Sequence, residues 1–131
     1  MHLVTLRTAG GPVPGIGVTD GVVALPALDA DLPRDWASLL AGERLDRLDA
    51  LARAAPNEAV TPWDAAALAP PIPQPPKLLC VGLNYHAHAA ETGMEVPRTP
   101  IVFSRFASSV VGHGEPIVRP AVSEKHDYEG E

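Results

Sequence analysis

The sequence predicts an α+β protein in two parts, and three observations carry that prediction. Short runs rich in Val, Leu, Ile and Thr alternate with Gly-containing turns near the amino end, the pattern of a small β-meander. Two amphipathic stretches follow, "DLPRDWASLLAG" and "ERLDRLDALARAA", with apolar residues at helical spacing. Then "PPIPQPP" sets five prolines between Pro70 and Pro76, a stretch that is extended and cannot lie inside a helix. It divides residues 1–69, a small meander-and-helix domain, from residues 77–131, where strands dominate again. Residues 70–76 are the linker.

The elements read as follows. "HLVTLRT" is a strand, "AGGPVPG" a turn, and "IGVTDGVVAL" a hairpin folded at Asp20-Gly21. Pro33 stands near a helix start, Trp36, Leu39 and Leu40 recur at i, i+3, i+4, and Gly42 is placed to end that helix. A second helix turns Leu45, Leu48 and Ala52 to one face, which makes residues 1–69 a three-stranded meander with a helical hairpin. After the prolines, "KLLCVG" has the continuous apolar run of a buried strand. "LNYHAHAAETG" is a loop entering one or two helical turns, with Gly93 as cap, and "TPIVFSRF" is another strand. A turn at Gly112–Gly114 leads to a strand through Ile117 and Val118, and "SEKHDYEGE" begins a further one.

Composition excludes several classes. The formal net charge is −6 with no block of like charges, so the chain lacks the basic footprint of a nucleic-acid binder. No apolar run is long enough to span a membrane, and "MHLVTLRTAGG" lacks the layout of a secretory signal. Cys80 is the single cysteine, so no internal disulfide forms and a reducing, cytoplasmic setting is expected. His2 and Asp20 read as surface residues.

Chemistry concentrates in two places. His88 and Glu91 are three apart, so a helix puts them on one face, where the carboxylate can orient the imidazole and stabilise its cation. That is the layout of a general base, and a surface ion pair is the plainer alternative. His86 and His88 form an H-x-H pair that suits zinc only on extended backbone. Glu129 and Glu131, two apart, share a face if "DYEGE" is a strand. They are either a solvated tail or two carboxylates around a hard cation such as Mg²⁺, Mn²⁺ or Ca²⁺. Cys80 reads as a buried, inert thiol, and Ser108 and Ser109 lack the setting of a serine nucleophile.

Taken in order, "KLLCVGLNYHAHAAE", "PIVFSRFASSVVGHGEPIVRP" and "SEKHDYEGE" resemble the fumarylacetoacetate hydrolase (FAH) family. The resemblance covers residues 70–131 closely and the N-terminal segment more loosely, as the family's small accessory domain. It implies that His88 and Glu91 are the catalytic dyad and that Glu129 and Glu131 bind a divalent metal, Mg²⁺ foremost. The family's third metal carboxylate, an Asp, and an active-site Lys have no counterpart here. Where many members carry a Lys, this chain has Arg105, which keeps the charge but presents a fork. Arg105 and Ser108 are expected to meet the substrate carboxylate.

The resemblance further implies that the chain ends inside the metal-binding strand, with most of the mixed, sheet-rich catalytic fold following Glu131. The expected activity of the complete protein is metal-dependent cleavage of a carbon–carbon bond in a 1,3-dicarbonyl keto acid, by a homodimer. A decarboxylase of oxaloacetate type and a dienoate isomerase are alternatives on the same site. A binding or dimerisation module without activity is the rival from another class.

Overall fold

A computed structural model describes residues 1–42 and 45–125. Its elements are mixed α and β, and the strands pair antiparallel throughout. The described chain forms two compact units: Met1–Pro73 with Val110–Glu115, and Gln74–Ser109 with the residues from Pro116 onward.

The first unit is built on a five-stranded sheet: β1 (His2–Thr8), β2 (Gly11–Val18), β3 (Gly21–Ala24), β4 (Val60–Pro62) and β5 (Leu68–Ala69), in the order β4-β3-β2-β1-β5. The expected three-stranded meander is present as β1–β3, and two short strands extend it on either side. The hairpin at Asp20 forms, closed by the pair Val18–Gly21. Gly21 serves there for close approach, because a Cβ would run into the backbone carbonyl of Thr61 in β4.

The stretch expected to be a turn, "PVPG", is instead the first half of β2. Pro12 and Pro14 pair with Arg7 and Thr5 of β1, while β3 reaches only as far as Gly15. The Arg7 N–H points away from β2, to the Ala67 carbonyl at 2.8 Å, so Arg7–Pro12 is a pair without ladder hydrogen bonds. The missing proline donors therefore fall on a flank where β2 has no neighbour, the one place a strand tolerates them.

Three helices cover one face of the sheet: α1 (Leu25–Leu28), α2 (Trp36–Gly42) and α3 (Leu45–Arg53). Ile16, Leu25, Leu32, Trp36, Leu39, Leu48 and Ala52 form the main core beneath them. Leu6, Val13 and Val22 pack on the opposite face with Ala66 and Leu68. Each fully buried Leu or Ile contributes about 1.5–3 kcal/mol by leaving water. Leu45 departs from expectation: it lies one heptad before Ala52, at nearly the same angle, yet is 43% exposed. Its place at the first turn, beyond the end of the core cluster, decides this.

Asp35 caps α2, its Oδ1 accepting from the Ser38 N–H at 2.8 Å. That bond, and after it one from the Ser38 hydroxyl, holds the Asp35 carboxyl below its ordinary range. A lowered folded-state pKa gives stability that is present above the unfolded value and lost as pH falls through the folded one. Acid titration of thermal stability is thus expected to fall below about pH 4, with a shallower slope in Asp35→Asn.

One buried polar relay ties the layers together. Trp36 Nε1 donates to Thr5 Oγ1 at 3.0 Å, and that hydroxyl donates to the Pro71 carbonyl at 2.6 Å. It joins α2, β1 and the proline-rich stretch through a side chain that is 3% exposed. Thr5→Val keeps the shape but strands a buried donor and an acceptor. A loss of roughly 2–4 kcal/mol is expected in urea unfolding.

The second unit contains β6 (Leu79–Gly82), α4 (His86–Thr92) and β7 (Ile101–Ser104). β6 and β7 form a two-stranded sheet, pairing Leu79 with Ser104 and Gly82 with Ile101. β6 was expected to be buried, but Leu79 is 63% exposed, and all of β7 is open. Exposed and half-buried residues alternate along β6, and a two-stranded hairpin buries little. Cys80 is accordingly half-buried rather than enclosed. The strand expected through Ile117 and Val118 is absent: both side chains are more than two-thirds exposed and the backbone is irregular. Pro116 and Pro120 bracket this stretch and withhold two ladder donors. The strand expected from Ser123 begins with irregular residues 123–125 and otherwise lies outside the described residues.

Candidate active site

The proposed base sits on a short helix with well-defined ends. Between β6 and α4 the chain turns at Leu83, which has φ 51°, the left-handed region that a leucine occupies at a cost of about 1–2 kcal/mol. Tyr85 then opens α4 on extended backbone. At the other end Gly93, φ 68°, donates to the Ala89 and Ala90 carbonyls, and the Met94 N–H reaches Ala89 at 2.9 Å. The Thr92 hydroxyl adds a bond to the His88 carbonyl at 2.9 Å. Gly93 is thus the cap that the sequence indicated.

On this helix His88 and Glu91 lie three apart, hence on one face. His88 is half-buried and Glu91 is exposed. No hydrogen bond or ion pair joins them, and the imidazole has no partner among the described residues. Glu91 is exposed and stands one helical turn after His88. His86 and His88 are both helical and two apart, so they diverge by about 160°. The H-x-H zinc arrangement is therefore excluded.

Arg105 and Ser108 follow β7. The Arg105 N–H donates to the Leu78 carbonyl at 3.0 Å, and its guanidinium lies 5.6 Å from the centre of the Phe103 ring. That cation–π contact is worth about 0.5–1 kcal/mol at an exposed site and holds the fork over the Phe103 ring of β7. In the following turn, Ala107–Ser109, the Ser109 hydroxyl donates to the Phe106 carbonyl at 2.8 Å. The Ser108 hydroxyl has no such bond among the described residues and stays available. Strand register sets Arg105 beside Leu78, at the start of β6, whereas α4 leaves from its far end at Gly82. His88 and Glu91 thus share one face of α4, Arg105 and Ser108 follow β7, and no hydrogen bond or ion pair among the described residues joins any two of the four.

Glu129 and Glu131 lie outside the described residues. Within them, no group of three or more His, Cys, Asp or Glu is arranged to hold a metal ion. A groove of about 940 Å³ in the first unit is lined by His2, Asp20, Asp49, Arg53, Asn57 and Trp63. It contains none of the residues singled out for chemistry. Among the described residues, no helix is long and apolar enough to cross a membrane.

Residues 77–131 match the family described as fumarylacetoacetate (FAA) hydrolase, C-terminal. The chain is 36% identical over 135 residues to human oxaloacetate tautomerase FAHD2B, mitochondrial, covering 100% of this chain and 43% of the relative. It is 34% identical to the Xenopus laevis oxaloacetate tautomerase fahd2, mitochondrial, covering 100% of this chain and 42% of that relative. An HpcE-type protein from Mycobacterium smegmatis superposes with a TM-score of 0.69 at 29% identity, over 92% of this chain and 41% of that one. The chain belongs to the fumarylacetoacetate hydrolase family and spans about two fifths of the length of these relatives.

One expectation is overturned here. The single cysteine suggested a cytoplasmic protein, but both of these tautomerase relatives are named as mitochondrial. A lone thiol reports a reducing environment and does not distinguish one reducing compartment from another.

Proposed function

We propose that this chain carries the proton-transferring part of an active site that interconverts the keto and enol forms of an oxaloacetate-like 2-oxo dicarboxylic acid. The observation that carries this reading is His88 and Glu91 on one accessible face of α4. Tautomerisation requires only that a proton leave the carbon next to the ketone and that one arrive on its oxygen. A single imidazole can do both, taking the first proton at an open ring nitrogen and returning it to oxygen. Glu91 stabilises the imidazolium between the two transfers. Arg105 and Ser108 are suited to a substrate carboxylate, the first by its fork and the second by its free hydroxyl. The names of the human and Xenopus relatives support the substrate class.

Glu129 and Glu131 are proposed as two carboxylates of a divalent-cation site, with Mg²⁺ the best match to hard oxygen donors. A cation held there would stabilise negative charge on the enolate oxygen.

The match of residues 77–131 to a hydrolase family favours a second reading, cleavage of an acylpyruvate, in which His88 would activate water. Following the enol absorbance of oxaloacetate alongside acylpyruvate breakdown, both with Mg²⁺, separates the two. Accelerated enol–keto exchange without loss of carbon dioxide is expected. Acylpyruvate cleavage with no effect on the exchange would replace the first reading by the second.

A further inference from the structure

Tyr85, His88 and Glu91 follow one another at steps of three along α4 and its cap, all within the second unit. Each step of three advances about 4.5 Å along a helix and turns about 60°, so the three form one polar stripe. Tyr85 is the N-cap, on extended backbone with φ −121° and ψ 139°, and its carbonyl accepts from the Ala89 N–H at 3.2 Å. That bond ties the tyrosine to the first turn of α4. Helical side chains lean toward the amino end, so Glu91 leans toward His88 and His88 toward Tyr85. Tyr85 is 47% exposed, and its hydroxyl has no hydrogen-bond partner among the described residues. The Thr92 hydroxyl, by contrast, is committed to the His88 and Ala89 carbonyls. The stripe thus sets an open phenol, an imidazole and a carboxylate in series.

We propose that Tyr85 is a further catalytic residue: its hydroxyl moves the proton at the substrate's ketone oxygen while His88 moves the one on the neighbouring carbon. This role rests on the reading in Proposed function and divides the two transfers between two groups. With one imidazole alone, the ring would have to pass from carbon to oxygen in mid-reaction. A phenol one turn away makes that movement unnecessary. In the keto-to-enol direction the His88 ring nitrogen takes the proton from carbon, and the electron pair of that C–H bond becomes the carbon–carbon double bond. The carbonyl π pair moves to oxygen, which takes the Tyr85 proton. The imidazolium then returns its proton to the phenolate, restoring both side chains with no other reactant. A phenol suits the task because it and an enol are both hydroxyls on trigonal carbon, so the proton passes either way without a steep driving force.

Tyr85→Phe in the whole protein tests this, because it removes one oxygen and keeps the ring and the backbone cap. Its melting temperature is expected to match the parent protein. For enol–keto exchange, kcat should fall about 100-fold with KM within about twofold, the pattern of an interaction made only in the transition state. A second readout separates chemistry from structure: loss of deuterium from the carbon next to the ketone, followed by NMR in ordinary water and corrected for the protein-free rate. His88 still takes that label in Tyr85→Phe, so the ratio of label loss to enol formation is expected to rise about tenfold or more. His88→Ala should lose both. Unchanged enol formation in Tyr85→Phe overturns the role, and so does an equal fall in both rates, the mark of a merely structural tyrosine. A parent protein that accelerates neither process overturns the functional reading, and this role with it.

Discussion

His88→Ala is expected to lower kcat/KM for enol–keto exchange by about 10²–10⁴-fold, the range that a positioned general base supplies. The structure makes this loss attributable to chemistry. The His88 ring has no hydrogen bond among the described residues, and the bond that anchors this turn of α4 runs to its backbone carbonyl from Thr92. Removing the imidazole leaves that bond, and the Gly93 cap, intact. The melting temperature and far-ultraviolet dichroism of the variant should therefore match the parent protein. Glu91→Gln should have a smaller effect, because the amide can still accept from the ring but no longer offsets its positive charge. Full activity in His88→Ala would remove the base from the proposed reaction.

Leu39→Ala should have the largest effect on stability. Leu39 is fully buried at the centre of the cluster formed with Ile16, Leu25, Trp36 and Leu48. Truncation to the β-carbon costs about 2–5 kcal/mol, part from lost transfer and part from the cavity left behind. For a unit of this size that corresponds to a fall in Tm of roughly 10–20 °C. The neighbouring Leu40, 46% exposed on the same helix, provides the contrast. Leu40→Ala should stay within about 0.5 kcal/mol. Urea unfolding of both variants checks the pair, and equal losses would mean that the cluster is not the stabilising core.

These two helix positions also show what the sequence could and could not disclose. The 3.6-residue period located α2 and α3, but Leu39 and Leu40 are adjacent and equally apolar, and only packing separates them. Signals confined to a few residues were legible: the strand "HLVTLRT", the hairpin at Asp20, the Gly93 cap, and the spacing of His88 and Glu91. Features that depend on distant neighbours were not. β5 is two residues long and β4 three, and neither has a recognisable pattern; each exists because an edge of the meander needed a partner. Thr5 carries no mark of its role until Trp36 and Pro71 are brought beside it. Arg105 and Ser108 were chosen by motif, and the register that sets Arg105 at the opposite end of the hairpin from α4 is a property of pairing.

Pro12 has a consequence for the behaviour of this protein at high concentration. At Pro12, the exposed end of β2 beyond its pairing with β3, an unguarded strand could serve as a template on which foreign chains add, one after another, into fibrillar aggregates. Pro12 lacks a hydrogen to offer there, so an arriving segment would leave a carbonyl of its own unmet. β7, with Ile101, Val102 and Phe103 all exposed, has no comparable guard. Self-association under stress should therefore begin at β7 sooner than at Pro12 of β2.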